Sequence, residues 1–273
     1  MKTTFRFRLL LISSLMLTVA VIASHAQGVS QDGLIIYYSF NEDTLEGDDV
    51  LDVSGNGNDG FLHGGNLDIV DGKVKECMEF PGSAAEYISV RNHMYDGPVE
   101  EMSLVAWVKT DVRGMIASWD RSEFFRFAVG DDVGGNNGTT FVAFDHCCPI
   151  HDWFGKEDVA DNEWHHLVAR FDGDEKRIYV DGKLDAKIAS TTKVIGAGAD
   201  RFGFIGIGSE AAAFDAATGP NWAFNGLMDE FMLFHRALSE KEIERLAAGP
   251  ANPLAIEPTD KLTTTWGYIK DTK

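Results

Sequence analysis

The sequence predicts an all-β fold: a many-stranded antiparallel β-sandwich carrying one short C-terminal helix. Three observations predict it. From Gly33 to Arg236, short apolar or alternating runs are separated by Gly, Asp and Asn, as in antiparallel strands joined by turns. Asp181-Gly182 lies between Arg177-Ile178-Tyr179-Val180 and Lys183-Leu184, a two-residue hairpin signal, because a type I′ turn needs the positive φ that glycine adopts without strain. Ser239-Glu240-Lys241-Glu242 reads as a capping box ahead of an apolar stripe at Ile243, Leu246 and Ala247, and Gly249-Pro250 stops the helix.

Taken in order, the chain opens with Lys2, Arg6 and Arg8, an apolar run from Leu9 to Ala23, and the small-x-small site Ser24-His25-Ala26. Residues 1–26 therefore read as a cleavable secretory signal peptide. The apolar run is shorter than the roughly 20 residues that span a bilayer, so no membrane insertion is expected after cleavage. Residues 27–249 form the predicted domain, and 250–273 an extended tail with no domain pattern. Expected strands include Leu34 to Phe40, Cys77 to Phe80, Tyr87 to Val90, Met102 to Lys109, Met115 to Trp119 and Phe124 to Val129. Others are Thr140 to Phe144, Trp164 to Phe171, Arg177 to Val180, Phe202 to Ile207 and Gly226 to Phe234.

Charge narrows the partners. The net charge is −19, and removal of the three signal-peptide cations takes it to −22. Such a surface repels phosphate backbones and anionic headgroups, so nucleic acid is not an expected partner. The three cysteines, Cys77, Cys147 and Cys148, are an odd number in a compartment that permits disulfides. One bridge is expected, either long-range from Cys77 or between the adjacent pair; the other reading of Cys77 is a buried, unpaired thiol.

Four stretches, in this order, resemble the laminin-G-like, concanavalin A-like lectin/glucanase family. They are Tyr38-Ser39-Phe40 with Asp52-Val53-Ser54-Gly55-Asn56-Gly57-Asn58-Asp59-Gly60; Ser103 to Lys109; Trp164 to Val168 running through Tyr179-Val180-Asp181-Gly182; and Phe224 to Phe231 leading to Arg236-Ala237-Leu238-Ser239. The resemblance implies a jelly-roll sandwich of twelve to fourteen strands in two sheets. Asp145-His146-Cys147-Cys148-Pro149-Ile150-His151-Asp152-Trp153-Phe154-Gly155 departs from the family pattern, and Cys77 stands where the family has a small apolar residue.

The resemblance also implies calcium, joining the first loop to the last strand through Asp52, Asn58 and Asp229. Residue chemistry agrees in kind, since Asn41 to Gly60 is rich in carboxylates and glycine and Ca²⁺ takes six to eight oxygens. Asp229, in an apolar run, calls for a cation or hydrogen-bond donors. The alternative is that Asp52 and Asn58 make Asx turns. Zinc at His146, Cys147, Cys148 and His151 is disfavoured by the spacing.

No catalytic residues are assigned. The nearest match to a sandwich-glucanase Glu-x-Asp-x-x-Glu strand is Glu46-Gly47-Asp48-Asp49-Val50-Leu51, which lacks the last carboxylate, and no Gly-x-Ser-x-Gly elbow occurs. Sugar recognition pairs an aromatic face with polar groups, and Asp120, Arg121, Trp153 and Trp222 are the ligand-binding candidates. Trp119 and Trp222 also read as core residues at strand ends. The expected function is a secreted, cell-surface or periplasmic, non-catalytic binding module, calcium-stabilised, for an extracellular glycan. The alternatives are a structural or adhesive domain that contacts a surface protein and, third, a divergent glycosidase.

Overall fold

The computed structural model describes residues 28–95, 97–119, 124–130, 138–147, 149–196, 200–209 and 222–249. The expected signal peptide, the tail at 250–273, and the candidates Asp120, Arg121 and Cys148 lie outside the described residues.

In chain order the strands are β1 (Leu34–Tyr38), β2 (Leu45–Glu46), β3 (Asp49–Val50), β4 (Gly60–His63), β5 (Asp68–Asp71), β6 (Glu76–Pro81), β7 (Tyr87–Tyr95), β8 (Met102–Lys109) and β9 (Gly114–Trp119). They continue as β10 (Phe125–Val129), β11 (Phe141–His146), β12 (Phe154–Asp158), β13 (His165–Phe171), β14 (Glu175–Val180), β15 (Lys183–Ala189), β16 (Arg201–Ile205) and β17 (Asn225–Phe234). The helix α1 (Glu240–Ala247) follows. The described strands exceed the expected twelve to fourteen because β2 and β3 have two residues each and β4 and β5 four, too few to show a periodic pattern.

Two antiparallel sheets stack. The first runs β15-β14-β13-β8-β17-β6-β5, with β1 also paired to β17; the second runs β12-β11-β10-β9-β16-β7-β4-β3-β2. Leu104, Ala106 and Val108 of the first sheet share one buried core with Ala117, Trp119 and Phe127 of the second. Alternation along each strand explains this, because every second side chain faces the opposite sheet. Trp119 is fully buried there, so it is a core residue.

β17 changes partner halfway. Asn225 to Met228 pair with β6 and Phe231 to Phe234 with β1, while β8 runs along the other edge of both halves. Asp229 and Glu230 fall at the changeover, an irregularity marked by a positive φ of 52° at Glu230.

The helix covers the outer face of the first sheet. Ser239 Oγ accepts from the Glu242 backbone N–H, and Glu242 Oε2 accepts from the Ser239 N–H at 2.8 Å, completing the capping box. Ile243 and Leu246 are buried against Val105, Val168, Tyr179 and Met232. The Asp181-Gly182 hairpin also forms, with φ of 50° and 78°.

Cys77 corrects one expectation. It is a free, buried thiol, 3.6 Å from the Asp71 carbonyl, so it leaves the set of disulfide candidates and packs as a small apolar residue. Burial, with the Asp229 carboxylate, pushes its pKa up to about 12.

Candidate functional site

The outer face of the second sheet gathers charge over small side chains. In β10, Phe125, Phe127 and Val129 point to the core, which turns Arg126 and Ala128 outward. In β11, Val142 and Phe144 do the same and turn Ala143 and Asp145 outward. The register places Arg126 directly opposite Asp145 and Ala128 opposite Ala143. Cross-strand neighbours of this kind meet side chain to side chain.

Arg126 organises the site. One guanidinium nitrogen lies 3.0 Å from Asp145 Oδ2 and 3.1 Å from Asp152 Oδ1, and the guanidinium carbon lies 5.5 Å from the centre of the Trp222 ring. The second Asp145 oxygen accepts the Trp153 N–H at 2.5 Å. Both ends of the pair Arg126 and Asp145 are buried, whereas Asp152 keeps a quarter of its side chain exposed. A buried pair needs further polar contacts to offset desolvation; a second carboxylate and a backbone N–H supply two, while Arg126 Nε is buried without a hydrogen bond.

Trp222 is held under constraint. Its φ is 48°, a left-handed backbone rare for a bulky side chain, and its carbonyl accepts the Met115 N–H at 2.7 Å. The ring packs, half-buried, beside Phe154 over Met115, Ala128 and Ala143. Strained residues persist where surrounding contacts over-determine them, and they gather at ligand sites. Next to Arg126 a small cavity is lined by Asp145, His146, Ile150 and Asp152, and Ile150 is 70% exposed on its rim.

Beneath this face the cations are committed elsewhere. Lys176, fully buried, donates to the His151 carbonyl at 2.7 Å and lies 5.0 Å and 5.7 Å from the Phe144 and Trp153 ring centres. Burial, with Lys176 and His151 nearby, pushes the His146 pKa down to about 3. The Trp153 ring packs against the core. The two candidate tryptophans thus enter differently, Trp222 by its ring and Trp153 by its backbone N–H.

The expected calcium ligands divide. Asp52 Oδ1 accepts the N–H groups of Tyr37 and Ser54 at 2.9 and 3.0 Å, and its Oδ2 accepts that of Asn58 at 3.0 Å. Asn58 directs its amide nitrogen at the Ile35 carbonyl, 2.8 Å away, and its own carbonyl accepts the Tyr38 hydroxyl. Asp229 lies at the β17 changeover, with Oδ2 on the Val74 N–H at 2.8 Å and Oδ1 buried without a hydrogen bond. Asp52 and Asn58 meet as partners of each other, and the printed hydrogen bond of Asp229 is to Val74. Among the described residues no group of three or more His, Cys, Asp or Glu is placed to hold a metal ion.

The histidine pair resolves into two settings. His166 is buried beneath α1, its ring centre 5.1 Å from that of Trp107, and His165 binds Asp161 and Asp181 near the surface.

A family model described as the Concanavalin A-like lectin/glucanases superfamily matches residues 82–244, more than half of the 273. The chain belongs to that superfamily. As a member of it, this lectin/glucanase-like protein shares its fold with several solved binding domains. Domain 4 of AbnA, a GH43 extracellular arabinanase from Geobacillus stearothermophilus, solved in complex with arabinotriose, is 18% identical with a TM-score of 0.59, covering 81% of this chain and 100% of that one. The binding domain of Paraclostridial Mosquitocidal Protein 1 is 15% identical with a TM-score of 0.57, covering 80% of this chain and 52% of that one. The binding domain of botulinum neurotoxin DC, in complex with SialylT, is 13% identical with a TM-score of 0.56, covering 80% and 52%. The superfamily member thus spans about half the length of the two toxin binding domains. No curated protein matches it in sequence.

Arg126 and Asp145 were not among the residues singled out from sequence. A signal existed: each is a charged residue inside an otherwise apolar strand, Phe125-Arg126-Phe127-Ala128-Val129 and Phe141-Val142-Ala143-Phe144-Asp145.

Proposed function

We propose that this protein is a secreted, non-catalytic module that binds a glycan on the outer face of its second sheet, across Arg126, Asp152 and Trp222. The observation that carries the reading is the placement of the Arg126 guanidinium between two carboxylates and the Trp222 ring. A half-buried aromatic beside fixed donors and acceptors is what a sugar requires, since its C–H face packs on a ring while its hydroxyls both donate and accept. The arabinotriose bound to the arabinanase domain and the SialylT bound to the neurotoxin domain support sugar as the ligand class.

The same geometry supports the reading of binding without turnover. Asp145 and Asp152 both converge on one nitrogen of Arg126, so a guanidinium occupies the space where a glycosidase pair would flank the scissile bond. Export rests on the charge and apolar pattern of residues 1–26. With Cys77 free, the proposed disulfide uses Cys147, which sits beside the site. Calcium is left out of the proposal, because Asp52 already accepts three backbone N–H groups, which hold the first loop by themselves.

The test is a thermal melt of the full chain against a panel of soluble oligosaccharides, including arabino-oligosaccharides. A ligand of the native state raises the melting temperature with the logarithm of its concentration over Kd, adding about 2.7 kcal/mol of stability at a hundred times Kd. At least one glycan is expected to do so. A melt unmoved by every member of the panel overturns the reading.

A further inference from the structure

We infer that Cys147 and Cys148 close a disulfide between neighbouring residues, and that this bond is a redox switch on the site beside it. Its effect on ligand affinity rests on the glycan-binding reading; the bond and its hold on the turn do not.

The chain has three cysteines, Cys77 is a free thiol and Cys147 is disulfide-bonded, which leaves Cys148 as its partner. Consecutive Cα atoms lie about 3.8 Å apart across a trans peptide, whereas disulfides join Cα atoms about 4.4–6.8 Å apart. A bond between neighbours therefore bends the backbone that carries it, and a bond held in this way is reduced more readily than an ordinary structural one.

The pair sits in the turn between β11 and β12, whose base closes where the His151 N–H meets the His146 carbonyl at 2.8 Å. Asp145 and Asp152 flank that base on either side, and both reach the same nitrogen of Arg126. Cys147 lines the cavity with them. Its N–H donates to the Phe124 carbonyl at 2.9 Å and its carbonyl accepts the Gly196 N–H at 2.5 Å, so the first half of the turn is fixed to its neighbours. The second half carries the exposed Ile150 and the part-exposed Asp152. A ring closed through Cys147 and Cys148 sets the backbone direction between the two halves, and with it the approach of Asp152 to Arg126.

Reduction removes that constraint. A thiolate of a dithiol reductant attacks one of the two sulfurs and the S–S bond breaks, leaving a mixed disulfide; the reductant's second thiol then closes its own disulfide and releases the cysteine. The reductant is oxidised, the pair takes up its electrons with protons, and Cys147 and Cys148 end as thiols. Cys77 is already a thiol and is unchanged.

Tryptic peptide masses test the bond, on full chain alkylated in denaturant without reductant. Residues 76–91 are expected to carry an alkyl group on Cys77, and residues 127–156 none, lighter than their dithiol form by the thiol hydrogens. Alkylation of 127–156, or its cross-link to Cys77 or to another chain, overturns the pairing. The switch is read by backbone hydrogen exchange and by titration of a glycan that raises the melt, with and without dithiothreitol. The N–H groups of His151 and Trp153 are expected to exchange faster in the reduced protein. The glycan should bind roughly tenfold more weakly, the scale of ordering one residue anew on binding. Cys147→Ala combined with Cys148→Ala should match the reduced protein and ignore the reductant. Affinity unmoved by reduction and in the double variant overturns the switch while leaving the glycan reading intact. Exchange unmoved in both overturns the hold on the turn whether or not a sugar binds, and a melt unmoved by every glycan overturns the glycan reading and leaves the exchange result to decide the hold.

Discussion

The guanidinium of Arg126 lies 5.5 Å from the centre of the Trp222 ring, joining a mid-strand charge of β10 to a backbone-strained residue just before β17. Cation–π contact of this kind is worth about 0.5–2 kcal/mol and orients both partners. Because Arg126 also pairs with Asp145 in a buried setting, its removal should be felt in stability as well as binding. Arg126→Met is expected to cost about 3 kcal/mol in urea unfolding, the scale for stranding one half of a buried pair. Adding Asp145→Leu should recover part of that loss, and a single-variant cost below about 1 kcal/mol would show that the pair is not structural.

The first loop makes a second prediction. Asp52 gathers the N–H groups of Tyr37, Ser54 and Asn58, so Asp52→Ala removes one acceptor from three donors and should cost about 2–3 kcal/mol. The same bonds hold the loop without a cation. A melt in EDTA is therefore expected to match the melt in calcium, and a fall of several degrees would restore the ion.

Acid should act on His166. Burial beneath α1 pushes its pKa down to about 3 from an ordinary 6.5, with Asp181 opposing the shift. Below the ordinary value the unfolded chain takes up a proton that the folded chain refuses, so this contribution is present above about pH 6.5 and is lost as pH falls toward about 3. Asp229 and Glu230 slope the other way, since burial raises them to about 8 and about 7 and the folded chain keeps protons that the unfolded chain releases. The His166 share is read by difference. Between about pH 7 and pH 5 the wild type should lose about 2 kcal/mol more than His166→Phe, and parallel curves would contradict the assignment.

The capping box gives the simplest stability test. Ser239→Ala removes the side-chain acceptor of the Glu242 N–H and should cost about 1 kcal/mol, measured by denaturant titration. Glu242→Ala should cost more, because Glu242 also holds Arg236 at 2.7 Å. Arg236 in turn donates to the Ser30 and Asp32 carbonyls and so ties down the first described residues.

Local signals were readable in the sequence, and pairings between distant segments were not. Asp181-Gly182 and Ser239 to Glu242 specify their own geometry within a few residues, so hairpin and helix appear as predicted. The long strands β8, β13 and β17 announce themselves by apolar runs. The site depends instead on register. Arg126 meets Asp145 because β10 and β11 pair with those residues opposite, and nothing in the residues between them dictates that alignment. Trp153 looked like a binding residue from its polar neighbours, yet Lys176, on a strand of the other sheet, supplies the packing that draws its ring to the core. Asp52 and Asn58 resemble calcium ligands for the same reason that they make good turns, because both roles use side-chain oxygens in a glycine-rich loop.

Calorimetric titration of a glycan that raises the melt, into wild type and Trp222→Gly side by side, tests the central claim most directly. Glycine adopts the positive φ of this position without strain, so the variant removes the ring and spares the backbone. Affinity should fall at least about tenfold, the scale of one lost stacking ring, in a variant that stays folded with a melt lowered by the lost packing. Undiminished affinity in a folded Trp222→Gly variant would contradict the placement of the ligand on this face.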